Sequence, residues 1–429
     1  MKTAGKAAAL AAAALMLMQC SCSGKQEIHS QPEQTVISLA WWGNDPRTEY
    51  TLEAVQLFQE LHPDIKVNCS YSEWSGYEAR NRIRMVSDTE ADIMLINVGW
   101  LDDFSADGTG YYDLSKVSDV LDLSNFPEDA LQYGMRGGVL NAIPIAMNAE
   151  TVYINKTVYE EHGLDVPQTW DDLFAAADVL KKDGIYPLCG ASKAVWLYTI
   201  AYAEQQTGKS FLDSSGSVAF TPEDIQVMID FYIRMVNCKV IPKIEDFKKT
   251  KVENGTCAGA VAWVSDAINY FGSSIERGDE ITAADYTAFS PEESGEGWYE
   301  KPATLYAMSK NTAHPEEAAL LLDFLLNNRE MSLLQGVEKG IPISKAALTC
   351  LDEEGMLSGL LYEASTVMDN NTKLREMSPM LENTDLINRF NDAANLALYN
   401  KATVDEAAQQ FYEACSRSFG TSQAADTYY

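Results

Sequence analysis

Aromatic rings set beside amides and charged side chains recur along this chain of 429 residues. Trp42 is followed by Asn44 and Arg47, Glu73 by Trp74, and Asn97 by Trp100. Farther on, Trp196 follows Ser192 and Lys193, and Trp263 precedes Asp266. A flat ring offers an apolar face, and a neighbouring amide, guanidinium or carboxylate gives directed hydrogen bonds. Each position also has a plainer reading. Trp42 suits a domain core, Asn44 and Arg47 suit a solvated turn, and Trp74 suits the start of a helix.

Other chemistries find less support. Four scattered His show no metal-binding spacing, so neither a metal site nor a cofactor is expected. A glycoside hydrolase needs two carboxylates at a set separation. With 63 Asp+Glu a pair such as Glu73 and Asp266 can always be nominated, and the nomination carries little weight. A net charge of −31 argues against nucleic acid, because phosphate binding needs a basic face.

The elements that must position these residues alternate. Residues 36–42 form a β-branched, apolar run that stops at Gly43-Asn44-Asp45-Pro46. Leu52, Val55, Leu57, Phe58 and Leu61 give helical spacing over 51–61, broken by His62-Pro63. A strand at 65–69, a helix at 77–86 and a strand at 92–97 follow. Strands and helices alternating in this way predict a parallel sheet covered by helices. Trp42, Asn97 and Trp100 then lie just past the carboxyl ends of strands, where open α/β sheets bind ligands. Glu73 and Trp74 occupy the loop after the second strand.

The pattern resumes with extended runs at 142–147 and 149–155, a helix at 170–182 behind Thr169, and another at 222–237 behind Thr221-Pro222. A strand is expected at 259–263, extended stretches at 286–289 and 303–308, and helices at 314–328, 382–399 and 403–418. The reading is two α/β sheets, with crossovers at 142–155 and 286–308.

The N-terminus bears on compartment. Lys2 and Lys6 precede an apolar run from Ala7 to Met18. That run is shorter than the roughly 20 residues a spanning helix needs, and it reads as a secretion signal. Leu17-Met18-Gln19-Cys20-Ser21-Cys22 resembles a bacterial lipobox, although Gln19 replaces the usual small residue. The expectation is a signal peptide at 1–19, lipid on Cys20 with Cys22 as the alternative, and a polar tether to residue 35. The folded part is then anchored on the extracytoplasmic face of a bacterial cell membrane. Cys69, Cys189, Cys238, Cys257, Cys350 and Cys415 read as free thiols, since their spacing shows no disulfide framework.

The order of motifs adds a resemblance. Trp41-Trp42-Gly43-Asn44, Phe58-Gln-Glu-Leu-His-Pro-Asp, Trp74-Ser-Gly-Tyr77 and Ala91-Asp92-Ile-Met-Leu-Ile-Asn97 come in succession. Ile143-Pro-Ile-Ala-Met-Asn148, Val166-Pro-Gln-Thr-Trp170, Asn254-Gly-Thr-Cys-Ala-Gly-Ala-Val-Ala-Trp263 and Gly340-Ile-Pro-Ile-Ser344 follow. Across residues 36–345 this succession resembles the sugar-binding family of ABC-importer solute-binding proteins that includes maltodextrin binders.

The resemblance implies a two-lobed, periplasmic-binding-protein-like α/β fold, each lobe a central sheet flanked by helices. Residues 36–147 with about 290–328 would form one lobe, and about 148–289 with 329–429 the other. It implies a sugar or oligosaccharide ligand, permease subunits as partners, a monomer and no enzymatic activity. Aromatic rings would cover the C–H face of a pyranose, and polar groups would bind its hydroxyls. It places Trp263 and Asp266 facing the cleft and Asn148 at the first crossover. The candidate ligand set is Trp42, Asn44, Arg47, Glu73, Trp74, Asn97, Trp100, Asn148, Trp196, Trp263 and Asp266. Trp170 and Asp92 are expected to be structural. The rival readings are a binder of another solute, such as a polyamine or peptide, and an exported glycoside hydrolase.

Overall fold

The structure, a computed structural model, describes residues 34–213 and 215–419. The expected signal segment and the expected lipid site at Cys20 or Cys22 lie outside the described residues. Strand β1 (Thr35–Trp42) pairs in parallel with β2 (Ile65–Ser72) and β3 (Ile93–Ile96). Side chains alternate across it, so Ile37, Leu39 and Trp41 enter one apolar cluster and Ala40 another.

Between β1 and β2, α1 (Asp45–Leu61) starts six residues before its apolar stripe. Asn44 sets that start by accepting the Arg47 N–H, with Pro46 in the first turn. Between β2 and β3, α2 (Trp74–Val86) buries Tyr77, whose hydroxyl donates to the carbonyls of Leu95 and Ala40 at 2.7 and 3.2 Å. Short α3 (Gly99–Ser105) follows β3.

Asp92, just ahead of β3, ties three segments together. Its carboxylate accepts the Ser38 N–H at 2.8 Å, the Ser38 hydroxyl at 2.6 Å and the Thr312 hydroxyl at 2.6 Å. Thr312 is thus engaged by Asp92, and the helix expected at 314–328 runs from Pro315 to Asn327 with His314 at its cap position. Asp92→Ala should cost about 2 kcal/mol, because it strands those donors. Urea unfolding checks this, and an unchanged midpoint would refute it.

After α4 (Glu128–Gln132) and the hairpin β4 (Met135–Arg136)–β5 (Val139–Leu140), the chain enters β6 (Ala142–Asn155). The two runs expected here are one 14-residue strand. It leads to α5 (Lys156–Glu161), α6 (Trp170–Leu180), α7 (Ser192–Thr207) and α8 (Pro222–Asn237). Then come β7 (Gly259–Trp263), α9 (Ala267–Glu276), β8 (Ile281–Ala284) and β9 (Tyr299–Met308).

The sheet order is β2-β1-β3-β9-β6-β7, with β8 also on β6. Two α/β sheets were expected, the first of them parallel; the ladders are mixed, and β6 belongs both to the sheet of β2, β1, β3 and β9 and to that of β7 and β8, which makes the order continuous. Strand β9 lies antiparallel between β3 and β6, and β6 leaves β9 after Ala149 to pair with β7 and β8. The β6–β9 ladder shifts register twice, between Pro144 and Ala146 and between Ala146 and Met147. Thirteen of the 14 side chains of β6 are buried, the polar Asn148, Glu150, Thr151 and Asn155 among them.

The chain returns through α10 (Pro315–Asn327), α11 (Arg329–Gln335) and α12 (Lys345–Glu353), then α13 (Gly359–Asp369), β10 (Arg375–Glu376), α14 (Thr384–Leu398) and α15 (Val404–Phe419). Two main cores result. Ile37, Trp41, Phe58, Leu322 and Met331 belong to one; Tyr153, Leu173, Trp196, Ile229 and Phe411 belong to the other. Between α11 and α12 the chain crosses over β6 at Gly340, which has φ +101°. A Cβ there would lie 2.8 Å from that of Ala146, so close approach and backbone both require glycine. The six downstream cysteines are free thiols.

Candidate functional site

A cavity of about 620 Å³ opens between the core around Trp196 and a third, smaller cluster that holds Ala40, Tyr77 and Trp100. Its first wall comes from α2 and the β3–α3 junction: Trp74, Glu78, Arg82, Asn97, Trp100 and Asp103. The Trp74 ring is 36% exposed and stacks at 6.0 Å on Trp100, which is buried behind it. Trp42 backs the same group, edge-on to Trp74 at 4.8 Å and tilted against Tyr77 at 5.3 Å. Arg82 lies 5.6 Å from the Trp100 ring centre and is held by Glu78 at 3.2 Å and Asp103 at 2.7 Å. The Asn97 side-chain oxygen accepts the Gly99 N–H at 3.0 Å, which leaves its amide hydrogens for the cavity.

The facing wall is made by Lys193 at the start of α7 and the turn Pro379–Asn383. Glu382 accepts from Lys193 at 2.8 Å and from Lys301 of β9. Both ammonium groups sit over the Trp263 ring, at 5.8 Å for Lys193 and 4.6 Å for Lys301. Burial works against charge on Glu382, but the two lysines prevail and hold it below the ordinary carboxylate range. Burial lowers Lys301, with Glu382 opposing.

Beneath them, buried Glu150 leaves Oε2 without a partner. Burial pushes its carboxyl up to about 8, although Lys193 and Lys301 pull the other way. Between about pH 4.3 and 8 the folded form keeps a proton that the unfolded chain has lost, so this group's contribution to stability falls as pH rises through that window. Glu150→Gln should therefore match the parent near pH 4 and exceed its stability by roughly 3–5 kcal/mol near pH 8. Melting curves across pH test it, and a variant offset by the same amount at every pH would rule it out.

The residues singled out from sequence separate into groups. Trp74, Asn97 and Trp100 meet at the cavity, with Glu73 exposed beside them and Trp42 behind. Trp263 and Asp266 lie on the opposite side, near the lysines; burial raises the Asp266 carboxyl. Asn148 is buried, and its side chain bonds the Ser265 hydroxyl at 3.1 Å and backbone N–H at 3.2 Å, fixing the loop after β7.

Three candidates fall elsewhere. Trp196 is fully buried and donates its indole N–H to the Leu381 carbonyl at 3.0 Å, so it has no face for a ligand. Asn44 is the exposed cap of α1. Arg47 is committed to Glu338 through a two-pronged ion pair at 2.9–3.2 Å. Lys193, Lys301, Glu382 and Glu150 were not anticipated. They come from four distant segments, and only the adjacency of Lys193 to the Trp196 helix hinted at one of them.

A family model for bacterial extracellular solute-binding proteins matches residues 44–332. The chain belongs to that family. A periplasmic solute-binding protein from Pectobacterium atrosepticum is 30% identical, with a TM-score of 0.82 over 90% of this chain and 98% of that one. A periplasmic oligogalacturonide-binding protein from Yersinia enterocolitica, solved with saturated digalacturonic acid, is 29% identical, with a TM-score of 0.79 over the same shares. A putative binding protein of Brucella abortus is 23% identical over 69% of this chain and 73% of its own length.

These likenesses establish the two-lobed fold of solute-binding proteins, whose members serve ABC transporters outside the cell. In the solute-binding protein the cavity separates the cluster around Trp100 from the core around Trp196. Among the described residues no helix is long and apolar enough to cross a membrane, and no cluster of His, Cys, Asp or Glu could hold a metal ion.

Proposed function

We propose that this solute-binding protein captures a sugar or oligosaccharide between its lobes and delivers it to an ABC permease, tethered by a lipid on Cys20. The observation that carries the reading is the Trp74 face, backed by Trp100 and Trp42 and open to the cleft. A half-exposed indole with amide and charged groups around it meets the two needs of a pyranose, an apolar face to cover and hydroxyls to bond. The digalacturonic acid carried by the Yersinia relative supports a saccharide. A second cavity, of about 530 Å³, is lined in part by Ser192, next to Lys193.

The lobes divide at about Ala149, within β9, and between α12 and α13. Residues 329–353 join the first lobe, because Met331 packs in its core and Ser344 bonds Asn327. Closing on the ligand is driven only by contacts the closed form makes in excess of the open one.

Calorimetry of Trp74→Ala against mono- and oligosaccharides tests this. The ring is half exposed, so the variant should fold and lose at least about tenfold in affinity, or roughly 1.4 kcal/mol. Full affinity in the variant, or no saccharide bound by the parent, would remove the proposal.

A further inference from the structure

Charge is divided unevenly across the cleft. On the Trp74 side, Arg82 is outnumbered by its partners Glu78 and Asp103. On the facing side, Lys193 and Lys301 share the single carboxylate of Glu382, while burial disfavours charge on Glu150 and Asp266 farther in and, in part, on Lys301 itself. On that wall two ammonium groups therefore meet one hydrogen-bonded carboxylate, in a chain whose net charge is −31. So acidic a protein repels anions at a distance, and a wall where lysines outnumber the carboxylate bonded to them is a local exception, set across the cavity from the acid-rich Trp74 side.

Glu382 belongs to the turn Pro379–Glu382, which itself lines the cavity. Its carboxylate therefore sits on the two lysines at the edge of the space a ligand enters. Resting on the saccharide reading above, we infer that Lys193 and Lys301 form a subsite for a carboxylate on the sugar, with Glu382 as the built-in anion that the ligand's carboxylate displaces or joins. The cargo is then a uronic-acid saccharide, its apolar face on Trp74 and its acid group toward the lysines. Lys301 lies on β9, the strand shared between the lobes, so an anion at this point touches the connection as well as the wall.

The claim has a sign that a plain hydrogen-bonding role for Glu382 lacks. Calorimetry would compare digalacturonate with galactobiose, and dimannuronate with mannobiose, on the parent, Lys193→Gln and Glu382→Gln. At least one acid should bind the parent tenfold or more tightly than its neutral counterpart. Lys193→Gln should abolish that preference, and Glu382→Gln should tighten the acid while leaving the neutral sugar unchanged. Should a variant fail to fold, the parent still decides: the preference should shrink between about 0.05 and about 0.5 M salt as the screening length contracts.

Neutral sugars bound as well as acidic ones, or Glu382→Gln weakening both alike, would overturn the subsite and leave sugar capture standing. If none of the four binds, the subsite falls; if a wider panel of neutral saccharides also fails, sugar capture falls with it.

Discussion

Trp196→Ala should loosen the second lobe by about 3–5 kcal/mol, the range for truncating a large buried aromatic. The ring has no accessible surface and is enclosed by Phe211 at 5.0 Å, Phe390 at 5.1 Å and Phe411 at 6.1 Å. Those partners come from the loop after α7, from α14 and from α15, so one side chain joins three segments. Its indole N–H also holds the Leu381 carbonyl, one residue before Glu382. Removing it leaves a cavity and an unpaired buried carbonyl. Urea unfolding should show the drop, while Trp196→Phe should recover part of it. At temperatures where the Ala variant is still folded, its saccharide affinity should fall far less than that of Trp74→Ala. A parent-like midpoint with lost affinity would return Trp196 to the binding surface.

A second large effect concerns Lys339, which is buried with Tyr306 as its hydrogen-bond partner at 3.0 Å. Burial, with Arg47 adding, lowers its ammonium to about 7, against the pull of Glu338. Glu338 is engaged elsewhere, by Arg47 and by the Tyr50 hydroxyl at 2.7 Å. The unfolded chain titrates this lysine near 10.4, so between about pH 7 and 10 it holds a proton that the folded form has released, and stability from this group rises with pH across that window. Below pH 7 the full cost of a buried ammonium is present.

Lys339→Met should therefore stabilise most at pH 6, by on the order of 4 kcal/mol, and the gain should close toward pH 10. Thermal unfolding of both proteins across that range measures it. Parallel curves would show that the amine titrates normally. Lys339 and Glu150 thus tilt stability with pH in opposite directions.

How much of this was legible depended on what a local pattern can encode. The first β-α-β-α-β run was readable because each helix had one buried face and each strand a clear stop. Helix α7 was not, since ten of its 16 residues are buried and no polar stripe marks its period. Strand β6 appeared as two runs because Asn148 interrupts its apolar sequence, and nothing local says that Asn148 bonds Ser265 across the sheet. At the site, rings were legible through their rarity and their place after strands. The lysines were not, because an isolated Lys looks alike in any loop until folding brings Glu382 to it. Trp196 was misplaced for a related reason: proximity in sequence to polar residues says nothing about which side of a helix faces the core.

The paired crossover strands also carry a mechanical consequence. Two hydrogen-bonded ribbons clamped at both ends in packed sheets cannot swivel freely; they can only flex like a leaf spring. The ladder between them is already notched near Ala146, where register slips twice and Gly340 presses against the ribbon. Bending should concentrate at that notch, and the strain stored there on shutting would recoil when cargo leaves.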